Sequence, residues 1–212
     1  MKNNLTTFYI IRHGQTDWNK NKMIQGQMDI PLNETGERQA LEVAKKLKDV
    51  QFDLAFSSDL LRAKRTAEII ALEHKLAVET VNAIRERHFG ELQGQPGTTL
   101  IEYIKTLREL SDEERKAHKI KPDIESDQEV INRVFTFLRE IAVANPGKTV
   151  LIGTHGGVLR MILIHLGAMT YREMETRKIT NGSYLVVESD GIEFFIKETS
   201  GLDERGYDPT EV

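Results

Sequence analysis

The chain has 212 residues, 39% hydrophobic and 29% charged, with a formal net charge of -4 and no cysteine. Those values fit one globular domain, exclude a disordered class, and remove disulfides, thiol nucleophiles and cysteine-zinc sites together. The acidic balance argues against a nucleic-acid partner, and no apolar run approaches the roughly 20 residues of a membrane span, so a soluble cytoplasmic protein without a signal peptide or membrane partner is expected.

In chain order, Tyr9-Ile10-Ile11 is an apolar, β-favouring run that ends in Arg12-His13-Gly14-Gln15-Thr16, which predicts a buried strand with polar groups at its carboxyl end. A loop from Met23 to Asn33 leads into a helix whose Ala40, Val43, Ala44 and Leu47 form one apolar stripe, with Gly36 in its first turn. Leu54-Ala55-Phe56 predicts a second strand. Its exit, Ser57-Ser58-Asp59, offers N-caps and sets Arg62 in the first turn of the next helix. Leu76 to Val81 predicts a third strand leading to Ile84-Arg85-Glu86-Arg87-His88-Phe89-Gly90. Residues 93–127 lose strand character and read as an insertion, with a helix suggested by Leu100, Ile101, Ile104 and Leu107 and a charge-dense half ended by Pro122.

An amphipathic helix follows on Val130, Val134, Phe137, Leu138 and Ile141, stopped by Asn145-Pro146-Gly147. Thr149-Val150-Leu151-Ile152-Gly153 is the clearest parallel-strand signal and ends in Thr154-His155-Gly156-Gly157, before a helix carrying Val158, Leu159, Ile162, Leu163 and Leu166. Tyr184 to Glu188 and Ile192 to Ile196 predict a hairpin through Ser189-Asp190-Gly191, with a frayed polar tail from Ser200. The expected fold is α/β: a single domain over 1–212, built as a three-layer sandwich with a mostly parallel central sheet, helices on both faces, and the 93–127 insertion as a lid over the site.

In such sheets ligands bind at the carboxyl ends of the strands. Four exits carry Arg12 and His13, Arg62, Glu86, and His155. Arginine offers planar, permanently charged donors for phosphate oxygens, so Arg12 and Arg62 suit a phosphoryl clamp. Their charges also disfavour protonation of a nearby imidazole, which makes His13 the candidate nucleophile. His155, before Gly156 at a helix N-terminus, can donate to the transferring group, where backbone N–H groups favour anions. Glu86, the one carboxylate of the set, is the natural general acid and later the base for water. Such a set could carry phosphoryl transfer without metal or cofactor; metal binding is the competing reading of two His and a Glu, against which no His-Glu-x-x-His spacing appears and two Arg beside a cation would be unfavourable.

The eight residues from Arg12 to Asn19 resemble the signature of the histidine phosphatase superfamily, in its phosphoglycerate mutase-like branch, whose histidine becomes transiently phosphorylated. The resemblance extends from the first strand to the final hairpin. It implies a phosphate contact for Asn19 and a substrate-loop role for Gln25 and Gly26, and it matches Ser57, Ser58, Arg62 and Ala63, the acid Glu86 and the second histidine His155. Glu86-Arg87-His88-Phe89-Gly90 looks like the mutase form of the acid loop, with Phe89 in place of the usual Tyr at a substrate-facing position. The lysine expected soon after Gln93-Gly94 is absent, Gly97 standing near its place, and no Arg-Arg pair follows. His155-Gly156-Gly157 resembles the phosphatases. The expectation is therefore a phosphatase of small phosphorylated metabolites acting through phospho-His13, with a phosphoglycerate mutase as the alternative and a non-catalytic phospho-ligand module as a third reading. The oligomeric state stays open, a homodimer included. Lys105, Arg108, Arg115, Lys116, Lys119 and Lys121 of the insertion, interleaved with acids, read mainly as a solvated helix face.

Overall fold

The computed structural model describes residues 4–174 and 177–203. Strand β1 (Thr6–Arg12) is followed by a short helix α1 (Asp17–Lys20), α2 (Glu34–Lys46), β2 (Leu54–Ser58), α3 (Leu61–Glu73) and β3 (Val78–Val81). Helices α4 (Ile101–Arg108) and α5 (Asp112–Ala117) occupy the insertion. After it come α6 (Asp127–Ala144), β4 (Thr149–Thr154), α7 (Gly156–His165), the single turn α8 (Tyr171–Met174), β5 (Lys178–Ser189) and β6 (Phe194–Asp203). The strands form one six-stranded sheet in the order β3-β2-β4-β1-β5-β6. The first four run parallel; β5 lies antiparallel to β1 and β6 antiparallel to β5.

Alternation along the central strands assigns the two faces. Phe8 and Ile10 of β1 and Val150 and Ile152 of β4 point into a cluster with α6 and α7, through Val134, Leu138, Leu159 and Ile162. Ile11 and Leu151 point the other way, into a cluster with Val43 and Ala44 of α2 and Ile70 and Ala71 of α3. Helices thus cover both faces of the α/β sheet, which is why the central strands read as continuous apolar runs. A third, smaller cluster joins Ile24, Phe89, Leu92, Leu100 and Ile124 where the insertion meets the loops above the sheet.

Several boundaries differ from the sequence expectation. Helix α2 is not one of them: it starts at Glu34 with Gly36 in its first turn as expected, where the Asn33 side chain accepts from Gly36 N at 2.9 Å. A Cβ on Gly36 would lie 2.1 Å from the Gln15 carbonyl oxygen, so the glycine lets α2 abut the loop after β1. The cap of α3 is Leu60, not a serine or aspartate of 57–59; Asp29, across the molecule, accepts from Leu61 N at 2.7 Å. Strand β3 begins two residues late, because Lys75 takes a left-handed φ of 57 and Leu76 N still bonds Ala71 O, closing α3. The hairpin is longer than expected. Asp190 accepts from Ile192 N and Glu193 N, each at 2.8 Å, so those two residues belong to the turn, and β6 runs on through Ser200 to Asp203. The frayed tail was expected from Ser200; residues 204–212 lie outside the described residues. No described helix is long and apolar enough to cross a membrane.

Candidate active site

The parallel strands all release their chains at one edge, and the tip of β1 is tied there by three elements. His13 N donates to Thr154 O of β4 at 2.9 Å, Asn181 of β5 donates to His13 O at 3.0 Å, and Gly14 N donates to the Thr66 hydroxyl of α3 at 3.1 Å. The His13 ring is buried. Its Nδ1 lies 2.7 Å from Gly14 O, a contact that only an N–H makes favourable, so Nε2 carries the lone pair and accepts from Arg62 Nε at 3.2 Å. Burial, then Arg62, then Arg12 hold this imidazole well below its ordinary pKa. Withdrawal from water, rather than the two arginines evident in the sequence, is the larger cause.

Arg62 is fully buried, and its other two nitrogens donate to Met28 O and Gly26 O, each at 2.7 Å. Burial lowers its pKa to about 10, so it remains a cation at neutral pH. Arg12 donates through Nη1 to Ile179 O, and a Cβ at Gly156 would come within 3.1 Å of its Nε, so the guanidinium lies along the start of α7. His155 sits behind His13, with ring centroids 5.3 Å apart and Nε2 2.9 Å from the Ser58 hydroxyl. Burial and the surrounding cations, Arg62 first, keep it neutral. Its Nδ1 is buried with no hydrogen-bond partner among the described residues.

Glu86 follows the 3-10 turn Asn82–Ile84 beyond β3. Its carboxylate accepts from Gly157 N at 3.0 Å and Arg87 N at 2.8 Å, which aims it across the first turn of α7. Its carbonyl accepts from Gln27 and from Arg133 of α6, at 3.0 and 3.1 Å. Arg133 also donates to Ala83 O and Arg85 O and pairs with Glu125, so one guanidinium spans the whole acid loop.

Arg12, His13, Asn19, Gln25, Gly26, Arg62, Glu86, Phe89 and Gly156 line one cavity, while His155 reaches it only through contact with His13. The amide oxygens of Asn19 and Gln25 already accept from Thr16, so their N–H groups are what they can offer a ligand. The cavity continues outward over residues that no motif marks for it: Arg87, Asp127, Arg160, Tyr171 and the aliphatic side of the insertion. Of the six insertion cations read as solvated, Arg115 lines the cavity and lies 4.3 Å over the Tyr171 ring; the other five do not line it. Thr66, Arg133 and Asn181 carry no motif of their own, since each acts on the site through a backbone atom that only the fold brings near, whereas Ser58, part of the matched Ser-Ser segment, reaches the His155 ring. Among the described residues no group of three His, Cys, Asp or Glu could hold a metal ion.

The profile of the histidine phosphatase superfamily (branch 1) matches residues 8–200. An uncharacterized phosphatase, PhoE, of Bacillus subtilis is 34% identical over 184 residues, 87% of this chain and 89% of that protein. A 2,3-bisphosphoglycerate-dependent phosphoglycerate mutase of Neisseria meningitidis is 34% identical over 211 residues, 85% and 93% of the two chains. The structure of a phosphoserine phosphatase of Entamoeba histolytica with 3-phosphoglyceric acid superposes with a TM-score of 0.78 at 26% identity, over 92% of this chain and 96% of that one. With a match spanning nearly the whole described chain, and relatives above 30% identity along most of their own length, the chain belongs to the histidine phosphatase superfamily, as one of its enzymes.

Proposed function

We propose that the enzyme hydrolyses phosphate monoesters through a phosphohistidine at His13. The observation that carries this reading is the His13 ring: it lines the cavity with its proton committed to Gly14 O, and its Nε2 lone pair is held by Arg62 Nε, a donor that an incoming phosphate oxygen takes over. In the first step Nε2 attacks phosphorus, the P–N bond forms, the ester P–O bond breaks, and Glu86 gives its proton to the leaving oxygen. Arg12, Arg62 and the Asn19 amide hold the equatorial oxygens, His155 stands against the His13 ring outside the cavity lining, and the N-terminus of α7 at Gly156 favours the added negative charge. In the second step water loses a proton to Glu86 and attacks phosphorus, the P–N bond breaks, and inorganic phosphate leaves. Gln25, Gly26 and Phe89 bound the space for the ester's organic part, with the 93–127 insertion as its cover.

A mutase is the second reading, favoured by the acid-loop sequence and by the mutase relatives. It must hold the dephosphorylated product while the group returns, and the lysine and arginine pair expected for its carboxylate are absent from this chain. One experiment tests both. His13→Ala abolishes turnover and acid-labile phosphoenzyme together, a loss on the order of 10³-fold or more. Wild-type enzyme given 3-phosphoglycerate with a trace of 2,3-bisphosphoglycerate releases phosphate; rapid formation of 2-phosphoglycerate with negligible phosphate would establish the mutase instead.

A further inference from the structure

The outer half of the cavity has a chemistry of its own, set by what adjoins Glu86. That carboxylate is fastened to Gly157 N, and Met161, one turn along α7, and Phe89, three residues along the acid loop, both line the cavity. Whatever is attached to the leaving oxygen therefore emerges against Phe89 and Met161. The wall contributed by the insertion is aliphatic along α4, with Arg115 of α5 beyond it over the Tyr171 ring. Leu100, Ile104 and Leu107 recur four and three residues apart, so one face of α4 meets the cavity, with Ile120 beyond it. No residue of α4 is buried, and Ile104 and Leu107 stay half-exposed toward that space. The Arg87 charge on the wall is answered by Asp127, which also accepts from the Tyr171 hydroxyl at 2.6 Å.

We infer that the alcohol part of the substrate is an apolar body, an alkyl or aryl group that covers the α4 face and packs on Phe89 and Met161, in preference to a small polar acid such as phosphoglycerate or phosphoserine. This rests on the hydrolytic reading above and deepens it. The occupant follows from continuity: the aliphatic wall opens from the same cavity as His13 and Glu86, and a substituent on the leaving oxygen has to pass it. Covering half-exposed aliphatic side chains returns apolar surface from water, while a polar acid laid on the α4 face would lose solvation without a matching gain there; Arg115 and Arg160 of the same cavity have partners of their own, Arg115 over the Tyr171 ring.

The test measures phosphate release from ethyl, butyl and hexyl phosphate and from 3-phenylpropyl phosphate, beside phosphoserine and 3-phosphoglycerate, with phosphohistidine followed in each. The unbranched alkyl alcohols have similar acidity, so the series varies the body and not the chemistry. kcat/KM is expected to rise about threefold per methylene from ethyl to hexyl. Ile104→Asn and Leu107→Asn, checked for folding by circular dichroism, should each cut the hexyl-to-ethyl ratio at least about threefold. A flat series in which every ester still forms phosphohistidine overturns the apolar body and leaves the mechanism standing. So does faster turnover of phosphoserine or 3-phosphoglycerate than of hexyl phosphate. Absence of both phosphate release and phosphohistidine from all six esters overturns the hydrolytic reading and this inference with it.

Discussion

An imidazole deep in a core and beside two guanidiniums has two separate reasons to stay neutral, and at His13 they act on a ring whose tautomer is already fixed by Gly14 O. The same economy governs Glu86. Its carboxylate holds its place because residue 157 has no side chain: a Cβ there would come 2.2 Å from Glu86 Oε1. Gly157 lies inside α7, where alanine is a better helix former, so Gly157→Ala should fold normally and fail locally. The carboxylate must swing off the Gly157 N–H and away from the leaving oxygen. Turnover of alkyl phosphates is expected to fall on the order of 10²-fold, and that of p-nitrophenyl phosphate far less, because its leaving group needs little protonation. Equal losses on both substrates would mean that Glu86 is not the proton donor.

Between residues and fold, the elements nearest the chemistry came through most clearly in the sequence. β1 and β4 are buried on both faces, so their apolar runs are continuous, and the polar residues that follow them could only be exits. Arg12, His13 and His155 were legible for that reason, while Arg62 and Glu86 were legible as polar groups a few residues past the shorter strands β2 and β3. What acts from further away was not. Asn181 lies on an antiparallel strand whose pattern says nothing of its reach to His13, and Arg133 sits on the polar side of α6 like any solvated arginine. Yet Arg133 bonds the carbonyls of Ala83, Arg85 and Glu86, so α6 sets the position of the acid loop. Arg133→Lys keeps the charge beside Glu125 but cannot reach three carbonyls from one nitrogen. It should act as a positioning variant: kcat for alkyl phosphates falls about tenfold, the dependence on leaving-group acidity steepens, and phosphohistidine formed from p-nitrophenyl phosphate persists. An unchanged leaving-group dependence would reduce Arg133 to a structural tie.

At the scale of the whole molecule the site is a charge on stability. Folding buries two neutral imidazoles, His13 and His155, and the pKa of the exposed His165 is also lowered. In the unfolded chain each titrates near about 6.5. Their folded values lie below that, so beneath pH ~6.5 the unfolded state binds more protons, and stability must rise with pH through that range. The contribution is complete above pH ~6.5 and is lost as pH falls from there toward the folded values, by up to about 1.4 kcal/mol per pH unit for each fully neutral ring. Asp53 and Asp59, lowered mainly by Lys148 and Arg85 respectively, lose their contributions only below about pH 4. The histidines therefore dominate between pH 6.5 and 4. Urea unfolding of the wild type is expected to give a midpoint that drops steadily from pH 7 to pH 5, while the double variant His13→Asn, His155→Gln shows a much shallower slope whatever its absolute stability. A double variant as steep as the wild type would mean that both rings accept protons in the folded protein, and phospho-His13 chemistry would then need a different source for its neutral nitrogen.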